Sequence, residues 1–193
     1  MILQNYQHPE DLPTHLGGHE GETHIDHGAL DYLINKFNIK SMIDIGCGPG
    51  GMVKTAKEKN LEILGVDGDF KIERDPDIVN NITIHDFSTG PYVPAKMYDL
   101  GWSVEFVEHV DRKYMTNFFA TFKKCRYVAM THALPGQPGH HHVNCMNFEY
   151  WLGAFDSTGF EVLIDETNEM RKASTMTQRY IRQQGYLFRN LNI

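Results

Sequence analysis

Four glycines in six residues follow a short apolar run, in the sequence Asp44-Ile45-Gly46-Cys47-Gly48-Pro49-Gly50-Gly51. A glycine-rich turn between a strand and a helix lets the backbone approach a ligand where side chains would collide. The N-terminus of the helix that follows offers N–H groups without partners to the same ligand. The segment therefore predicts a ligand site, because a plain tight turn does not need so many glycines.

Two kinds of cofactor compete for this loop. A dinucleotide would use the GxGxxG pattern, with a ribose-binding acid about 20 residues later. That pattern is present at Gly46, Gly48 and Gly51, with Asp67 in the place of the acid. However, Asp44 would repel a pyrophosphate, and Pro49 removes a backbone N–H from the turn on which a pyrophosphate would lie. A carboxylate at Asp44 suits a ligand that carries a cationic amine and a sulfonium.

The segment 43–50 resembles the first motif of class I S-adenosylmethionine-dependent methyltransferases, hydrophobic-Asp-hydrophobic-Gly-x-Gly-x-Gly. The resemblance extends over about residues 40–130. It implies S-adenosylmethionine as the cofactor and S-adenosylhomocysteine as the product. In this family an acid after the second strand binds the ribose, which corresponds to Asp67. An acid after the third strand binds the adenine amino group beside an apolar contact, which corresponds to Asp86 and Phe87.

The fourth strand, Tyr98–Trp102, leads into the sequence Glu105-Phe106-Val107-Glu108-His109-Val110. Many small-molecule methyltransferases of the class have a similar E-x-x-E-H-V run. Gly101 interrupts this strand, and we expect it to mark a close approach by the ligand. The cofactor-binding residues implied by the resemblance are His24, Asp44, Gly46, Cys47, Gly48, Gly50, Asp67, Gly68, Asp86, Phe87, Ser103, Val104 and Glu105.

Transfer to an oxygen or nitrogen atom often needs a general base, and histidine titrates in the suitable range. His109 follows the fourth strand and His132 follows the fifth, at the ends of strands where ligands of open α/β sheets bind. His141 and His142 lie in a long loop rich in glycine and proline, and such loops often bind ligands. These four histidines are the catalytic candidates. The alternatives are that His109 only packs or caps, that His132 lies at the surface, and that the loop 135–144 is solvated.

Eleven histidines are present, and five of them lie in the first 27 residues. These five are His8, His15, His19, His24 and His27. Two pairs have the spacing of metal ligands, His15 with His19 and His24 with His27. The carboxylates of Glu20, Glu22 and Asp26 are nearby in the sequence. No metal is predicted, because the segment shows no sign of rigidity. We expect the polar N-terminal arm, residues 1–25, to close over the cofactor, with His24 near its methionine part.

The elements that must position these residues alternate between strands and helices. Apolar runs predict strands at 41–45, 61–66, 82–85, 97–102, 127–130, 160–164 and about 186–188, and amphipathic patterns predict helices after Asp26 and at 51–59, 111–123 and 147–157. This order predicts an α/β, Rossmann-like, mostly parallel sheet with helices on both faces and an antiparallel final strand. We expect one domain, 1–193, with a cofactor-binding half at 40–130 and an acceptor-side half at 131–193.

The 193 residues carry a formal net charge of −7 and no basic stripe, which disfavours a nucleic-acid partner. No apolar run reaches the ~20 residues of a membrane span. Without a recognisable export signal, we expect a cytoplasmic protein with reduced cysteines. The predicted activity is methyl transfer to an oxygen or nitrogen of a small molecule, and the oligomeric state is left open. An NAD(P)-dependent oxidoreductase and a catalytically silent S-adenosylmethionine-binding module are the alternatives.

Overall fold

The computed structural model describes residues 11–19 and 21–193, so His8 and Glu20 lie outside the described residues. The strands are β1 (Ser41–Ile45), β2 (Glu62–Asp67), β3 (Ile82–Ile84), β4 (Tyr98–Ser103), β5 (Cys125–Met130), β6 (Phe160–Val162) and β7 (Tyr186–Asn190). The helices are α1 (His27–Phe37), α2 (Gly51–Glu58), α3 (Met115–Phe122), α4 (Phe148–Asp156), α5 (Ile164–Ala173) and α6 (Tyr180–Gln184).

The seven strands form one sheet in the order β3-β2-β1-β4-β5-β7-β6. The first five strands are parallel to their neighbours, and β7 is antiparallel to both β5 and β6. The chain therefore reverses direction across the sheet between β1 and β4, which is the point where ligands bind in open α/β sheets. The predicted Rossmann-like sheet with an antiparallel final strand is confirmed.

Side chains alternate between the two faces of the sheet and build two apolar clusters. Met42 packs with residues of α1, α2, α5 and α6, whereas its neighbour Ile43 packs with residues of α3 and α4. Phe118, Phe122 and Phe155 are fully buried in the second cluster. Helices thus cover both faces, as predicted. Within the described residues, no helix is both long and apolar enough to cross a membrane.

The prediction was wrong between β6 and β7. It extended the sixth strand to Ile164 and placed two strands after the last helix, but the chain forms α5 from Ile164 onward and then α6. Only Thr167 and Met170 of α5 are buried, so the helical period is weak in the sequence. Acids in its first turn and bases in its last turn stabilise α5 through the helix dipole.

The expectation for Gly101 is also corrected. A Cβ at this position would lie 2.9 Å from Sγ of Cys125 on the neighbouring strand. Gly101 pairs with Val128 in the β4–β5 register, where the sheet is covered by helices. The glycine therefore makes room for the buried Cys125 side chain, and a ligand does not approach it.

Asp26 fixes the place where the arm joins the domain. Its carboxylate is fully buried and caps α1 by accepting a hydrogen bond of 3.0 Å from the backbone N–H of Ala29. The same carboxylate accepts hydrogen bonds from the Ser174 hydroxyl and from the Thr175 N–H, after α5. One side chain thus connects the end of the arm to the last third of the chain.

We expect Asp26→Ala to lower the free energy of unfolding by about 2–4 kcal/mol, because a helix cap and two further hydrogen bonds to a buried carboxylate are lost. Asp31→Ala on the same helix is the control, since its ion pair with Lys59 is half exposed and such pairs contribute about 0–1 kcal/mol. Urea unfolding at neutral pH measures both. Equal effects of the two substitutions would contradict this role of Asp26.

Candidate active site

The glycine loop joins the end of β1 to the start of α2, as predicted. The N–H groups of Gly46 and Cys47 donate to the carbonyl of Val66 at 2.8 and 3.2 Å, which holds the loop against β2. Gly46, Gly48 and Gly50 have φ of 78°, 50° and 91°, in the region that favours glycine. The local sequence therefore dictates this backbone path.

The glycines make room for different groups. A Cβ at Gly46 would lie 2.4 Å from the ring of Phe106, and one at Gly68 would lie 2.5 Å from Leu16 of the arm. A Cβ at Gly50 would instead meet the side chains of Ile78 and Ile82. Gly46 and Gly68 thus allow close packing around the ligand space, whereas Gly50 shapes the turn itself.

A cavity of about 540 Å³ opens where the carboxyl ends of the first four strands meet. This volume lies in the range of small-molecule sites, roughly 300–1,000 Å³. The predicted residues that line it are His24, Asp44, Gly46, Cys47, Gly48, Asp67, Gly68, Asp86, Phe87, Val104, Glu105, His109, His141 and His142. The fold thus brings together in one cavity most residues selected from the sequence.

Two acids lie side by side at the floor of this cavity. Asp44 is only 3% exposed, and burial together with the charge of Asp67 raises the pKa of Asp44 to about 8. Burial also raises the pKa of Asp67, although hydrogen bonds from the N–H groups of Asp69 and Gly48, at 2.7 and 2.8 Å, oppose that rise. A cation placed beside these carboxyls would favour their ionised forms.

Arg74 was not selected from the sequence. Its side chain is 5% exposed, its Nε donates to the carbonyl of Gly48 at 3.1 Å, and its NH2 group lies 3.4 Å from the Asp67 carboxylate. Arg74 therefore connects the glycine loop to the acid after β2. The only sequence signal is a single arginine between acids seven residues after Asp67, which is too common to single out a residue.

The described part of the arm, residues 11–19 and 21–25, lies over the same end of the cavity. Nε2 of His15 is 2.8 Å from Oδ2 of Asp86, and Nε2 of His19 is 3.0 Å from Oδ2 of Asp69. Burial opposes ionisation of Asp86, but hydrogen bonds from Ser88 and His15 outweigh it, so the pKa of Asp86 is lowered. The arm is thus held by the acids that follow β2 and β3.

The two histidine pairs with ligand-like spacing do not converge on one point. His15 and His19 contact different acids, the ring of His24 lies against Tyr180 at 5.0 Å, and His27 is exposed at the start of α1. Over residues 11–19 and 21–193, no three His, Cys, Asp or Glu side chains are grouped so as to hold a metal ion.

His109 and His142 lie against each other on the far side of the cavity, with ring centroids 4.9 Å apart. Nδ1 of His109 donates to the carbonyl of His140 at 2.7 Å, and Nδ1 of His142 donates to the carbonyl of Gln137 at 3.0 Å. Burial lowers the pKa of His109 to about 4. At neutral pH the His109 ring is therefore uncharged and is a weak base.

Three predicted site residues do not line the cavity, namely Gly50, Ser103 and His132. His132 is 2% exposed and its ring stacks on Tyr186, with centroids 5.8 Å apart. Ser103 is fully buried, and its carbonyl accepts a hydrogen bond from the N–H of Thr131. Ser103 ends β4 and His132 lies two residues after β5, and at both positions the side chain is buried instead of facing the cavity.

Tyr180 on α6 lines the cavity and was not selected from the sequence, because α6 itself was not predicted.

Glu108 was considered only as part of a motif. It is fully buried in the short 3₁₀ turn Val107–His109, directly behind the cavity residue Glu105. The sequence signal for Glu108 is its place in the E-x-x-E-H-V run, three residues after Glu105.

No protein-family model and no curated protein matches this chain. Solved structures share its fold. The methyltransferase domain of bacterial CtHen1-CN is 20% identical with a TM-score of 0.55, covering 84% of this chain and 96% of that one. A TehB-like S-adenosylmethionine-dependent methyltransferase from Corynebacterium glutamicum is 14% identical with a TM-score of 0.57, covering 84% and 87%.

Magnesium protoporphyrin IX methyltransferase from Synechocystis PCC 6803, solved with bound S-adenosylmethionine, is 12% identical with a TM-score of 0.55. The alignment covers 83% of this chain and 74% of that one. The chain has the fold of class I S-adenosylmethionine-dependent methyltransferases. The glycine loop, Asp44 near the end of β1, Asp67 at the end of β2 and Asp86 after β3 line the cavity at the carboxyl ends of these strands.

Asp44→Asn should stabilise the protein at neutral pH. An acid whose pKa rises from 3.8 to about 8 on folding binds a proton more tightly when folded, so stability falls as the pH rises between these values. The amide removes that effect, and we expect a gain of about 1–4 kcal/mol at pH 7 that shrinks towards pH 4.

Urea unfolding between pH 4.5 and 8 measures this effect. Asp31→Asn, on the exposed side of α1, is the matched control and should change little across that range. If Asp44→Asn were neutral or destabilising at pH 7, the account of a strained buried carboxyl would be wrong.

Proposed function

We propose that this chain transfers the methyl group of S-adenosylmethionine to an oxygen or nitrogen atom of a small molecule. The observation that carries the proposal is the row of three carboxylates, Asp44, Asp67 and Asp86. They lie at or near the carboxyl ends of three neighbouring strands around the glycine loop, inside one cavity. Glycines there allow close approach of a ligand, and the acids suit its amine, hydroxyl and cationic groups.

Each acid has a chemical task in this proposal. Asp67 would accept hydrogen bonds from the ribose hydroxyls. Arg74 balances part of the negative charge of Asp67, so an uncharged hydroxyl is a sufficient partner for it. Asp86 would accept from the adenine amino group, in exchange for the hydrogen bond it now accepts from His15. Asp44 would lie near the positively charged part of the ligand, which offsets the cost of burying its charge.

A pyrophosphate is a poor ligand for the same cavity. Asp44 and Asp67 are adjacent at its floor, and Arg74 is committed to Asp67 and to the loop carbonyl of Gly48. Pro49 offers no N–H to an anion. These features favour S-adenosylmethionine over a nicotinamide dinucleotide.

The chemistry follows from the ligand, because the sulfonium supplies an activated methyl group. The chain has to hold the acceptor atom in line with the carbon–sulfur bond and keep water away. Such positioning lowers reaction barriers by roughly 7–11 kcal/mol in well-oriented models. His15 and His19 of the arm, held by acids of the cavity wall, and the loop residues His140–His142 enclose the space from above.

A small acceptor fits this enclosure better than a macromolecule. The arm and the loop with His140 meet directly, since Nε2 of His140 lies 3.2 Å from the carbonyl of Leu16. The net charge of −7 and the acids of the cavity disfavour a nucleic acid. We assign the arm, residues 1–25, to closure, residues 40–130 to the cofactor, and residues 131–193 to the acceptor side of a single domain, 1–193.

Replacement of Asp67 tests the proposed cofactor site. Asp67→Asn keeps an oxygen for the Gly48 N–H but removes the charge, and we expect it to weaken binding of S-adenosylhomocysteine by about 1–3 kcal/mol. Asp77→Ala, at an exposed position near the same loop, should bind normally. Titration calorimetry measures both affinities. An unchanged affinity in Asp67→Asn would show that the ribose does not contact this acid.

Turnover tests the transfer itself. S-adenosylmethionine labelled in its methyl group is incubated with a panel of small hydroxyl and amine compounds, and labelled product and S-adenosylhomocysteine are quantified together. Equal amounts of both are expected for at least one compound. Normal binding of the cofactor without any labelled product would favour a catalytically silent binding module.

A further inference from the structure

We infer that Glu105 binds the acceptor and removes its proton, and that the acceptor is an uncharged molecule whose reacting atom carries a hydrogen as a hydroxyl or an amine. This inference rests on the proposed function and extends it. Glu105, which the family resemblance assigns to the cofactor, thereby takes a different role in the same cavity.

The order of the strands separates two sides of the cavity. Asp67 ends β2 and Asp86 follows β3, on one side of β1. Glu105 follows β4, on the other side of β1, and Thr131 directly follows β5. A ligand whose ribose and adenine contact Asp67 and Asp86 therefore extends towards β4. Glu105 lies beyond the reacting end of that ligand, where the acceptor must enter.

The backbone holds Glu105 in an unusual conformation. Its φ of 54° lies in the left-handed region, which residues other than glycine rarely adopt. Its N–H donates to the hydroxyl oxygen of Thr131 at 2.8 Å, and that hydroxyl lies 3.4 Å from Oε1 of the Glu105 carboxylate. Strained residues persist where neighbouring structure fixes them, and they concentrate at functional sites. Here the fixing residue, Thr131, is fully buried.

A second carboxyl lies behind the first one. Glu108 is fully buried, and burial followed by the charge of Glu105 raises the pKa of Glu108 well above its usual value. Burial therefore disfavours a negative charge on Glu108 more than on Glu105, which is partly exposed in the cavity wall. Burial raises the pKa of Glu105 to about 7, against the hydrogen bond from Thr131. A base is most effective when it titrates near the working pH.

The surroundings select against anionic acceptors. Among the described residues that line the cavity, the only lysine or arginine is Lys113, and its ammonium lies 3.2 Å from the carboxylate of Asp111. An acceptor with a carboxylate or phosphate beside Glu105 would therefore meet a like charge without a free lysine or arginine to balance it. An uncharged donor of a hydrogen bond meets no such cost.

The proposed step is balanced in atoms and electrons. A lone pair of the acceptor oxygen or nitrogen forms the bond to the methyl carbon, while the carbon–sulfur bond breaks and its electron pair stays on sulfur. The sulfonium becomes the neutral thioether of S-adenosylhomocysteine. The proton of the acceptor moves to the carboxylate of Glu105 and from there to solvent.

Two titratable groups that feel the charge of Glu105 stay protonated in this range. Burial, followed by the charges of Glu105 and Glu108, raises the pKa of Tyr180 on α6. Burial and the same two acids also raise the pKa of Cys145, in the loop before α4. Both groups stay protonated below pH 8. Asp44 in the same cavity has a pKa of about 8, so the rise of the rate between pH 6 and 8 is assigned to Glu105 by its loss in Glu105→Gln and not by the wild-type profile alone.

The experiment uses phenol and aniline as uncharged probes and benzoate as an anionic one. Methyl transfer to each is measured as S-adenosylhomocysteine formed between pH 5.5 and 8, for wild type and for Glu105→Gln, Glu105→Asp and Glu58→Gln. Glu58 is exposed at the end of α2 and serves as the matched control. The affinity for S-adenosylhomocysteine is measured for each protein by calorimetry.

We expect wild type to methylate phenol or aniline but not benzoate, at a rate that rises with pH around 7. Glu105→Gln should bind S-adenosylhomocysteine within about threefold of wild type, yet turn over about 100-fold more slowly and without that rise. Glu105→Asp should recover part of the rate, and Glu58→Gln should equal wild type.

Three results would overturn the inference while the proposed function stands. They are a tenfold or greater loss of S-adenosylhomocysteine affinity in Glu105→Gln, an unchanged rate and pH profile in that variant, and a wild type that methylates benzoate or neither uncharged probe although it binds the cofactor. Failure of wild type to bind S-adenosylhomocysteine at all would overturn the proposed function and this inference together.

Discussion

The carboxyls of Asp44 and Asp67 lie buried beside each other at the ends of neighbouring parallel strands, and this like-charge contact constrains the rest of the site. Burial and mutual repulsion raise the pKa of Asp44 to about 8, so the free protein bears the cost of an acid that cannot easily ionise. Arg74 and two backbone N–H groups offset part of the cost at Asp67. A cationic ligand removes the remainder, which links the stability of the fold to the ligand it binds.

The architecture around these acids serves to place them. Hydrogen bonds from the glycine loop to Val66 fix the loop against β2, and the change of direction between β1 and β4 opens the crevice. The arm is held at one end by Asp26 and over the cavity by His15 and His19. The two sides of the crevice then differ in chemistry, since one carries the acids after β2 and β3 and the other carries Glu105.

Sequence reasoning succeeded where a single segment determines the structure. The places of the glycine loop, Asp67 and Asp86 in one cavity follow from the apolar runs that precede them, and the predicted fold is confirmed. Sequence reasoning failed where contacts with distant segments of the chain determine the structure. Gly101 is a glycine because of Cys125 on the next strand, and the burial of His132 depends on its stacking against Tyr186. Arg74 and α5 were missed because neither has a periodic apolar pattern around it.

The most direct test of the account is a calorimetric titration of the free protein with S-adenosylhomocysteine and, separately, with NADH. The acidic floor beside the glycine loop predicts one site per chain for S-adenosylhomocysteine and no binding of NADH at the same concentrations. Binding of NADH with no binding of S-adenosylhomocysteine would contradict the account, since it would mean that the loop accommodates a pyrophosphate despite Asp44 and Pro49.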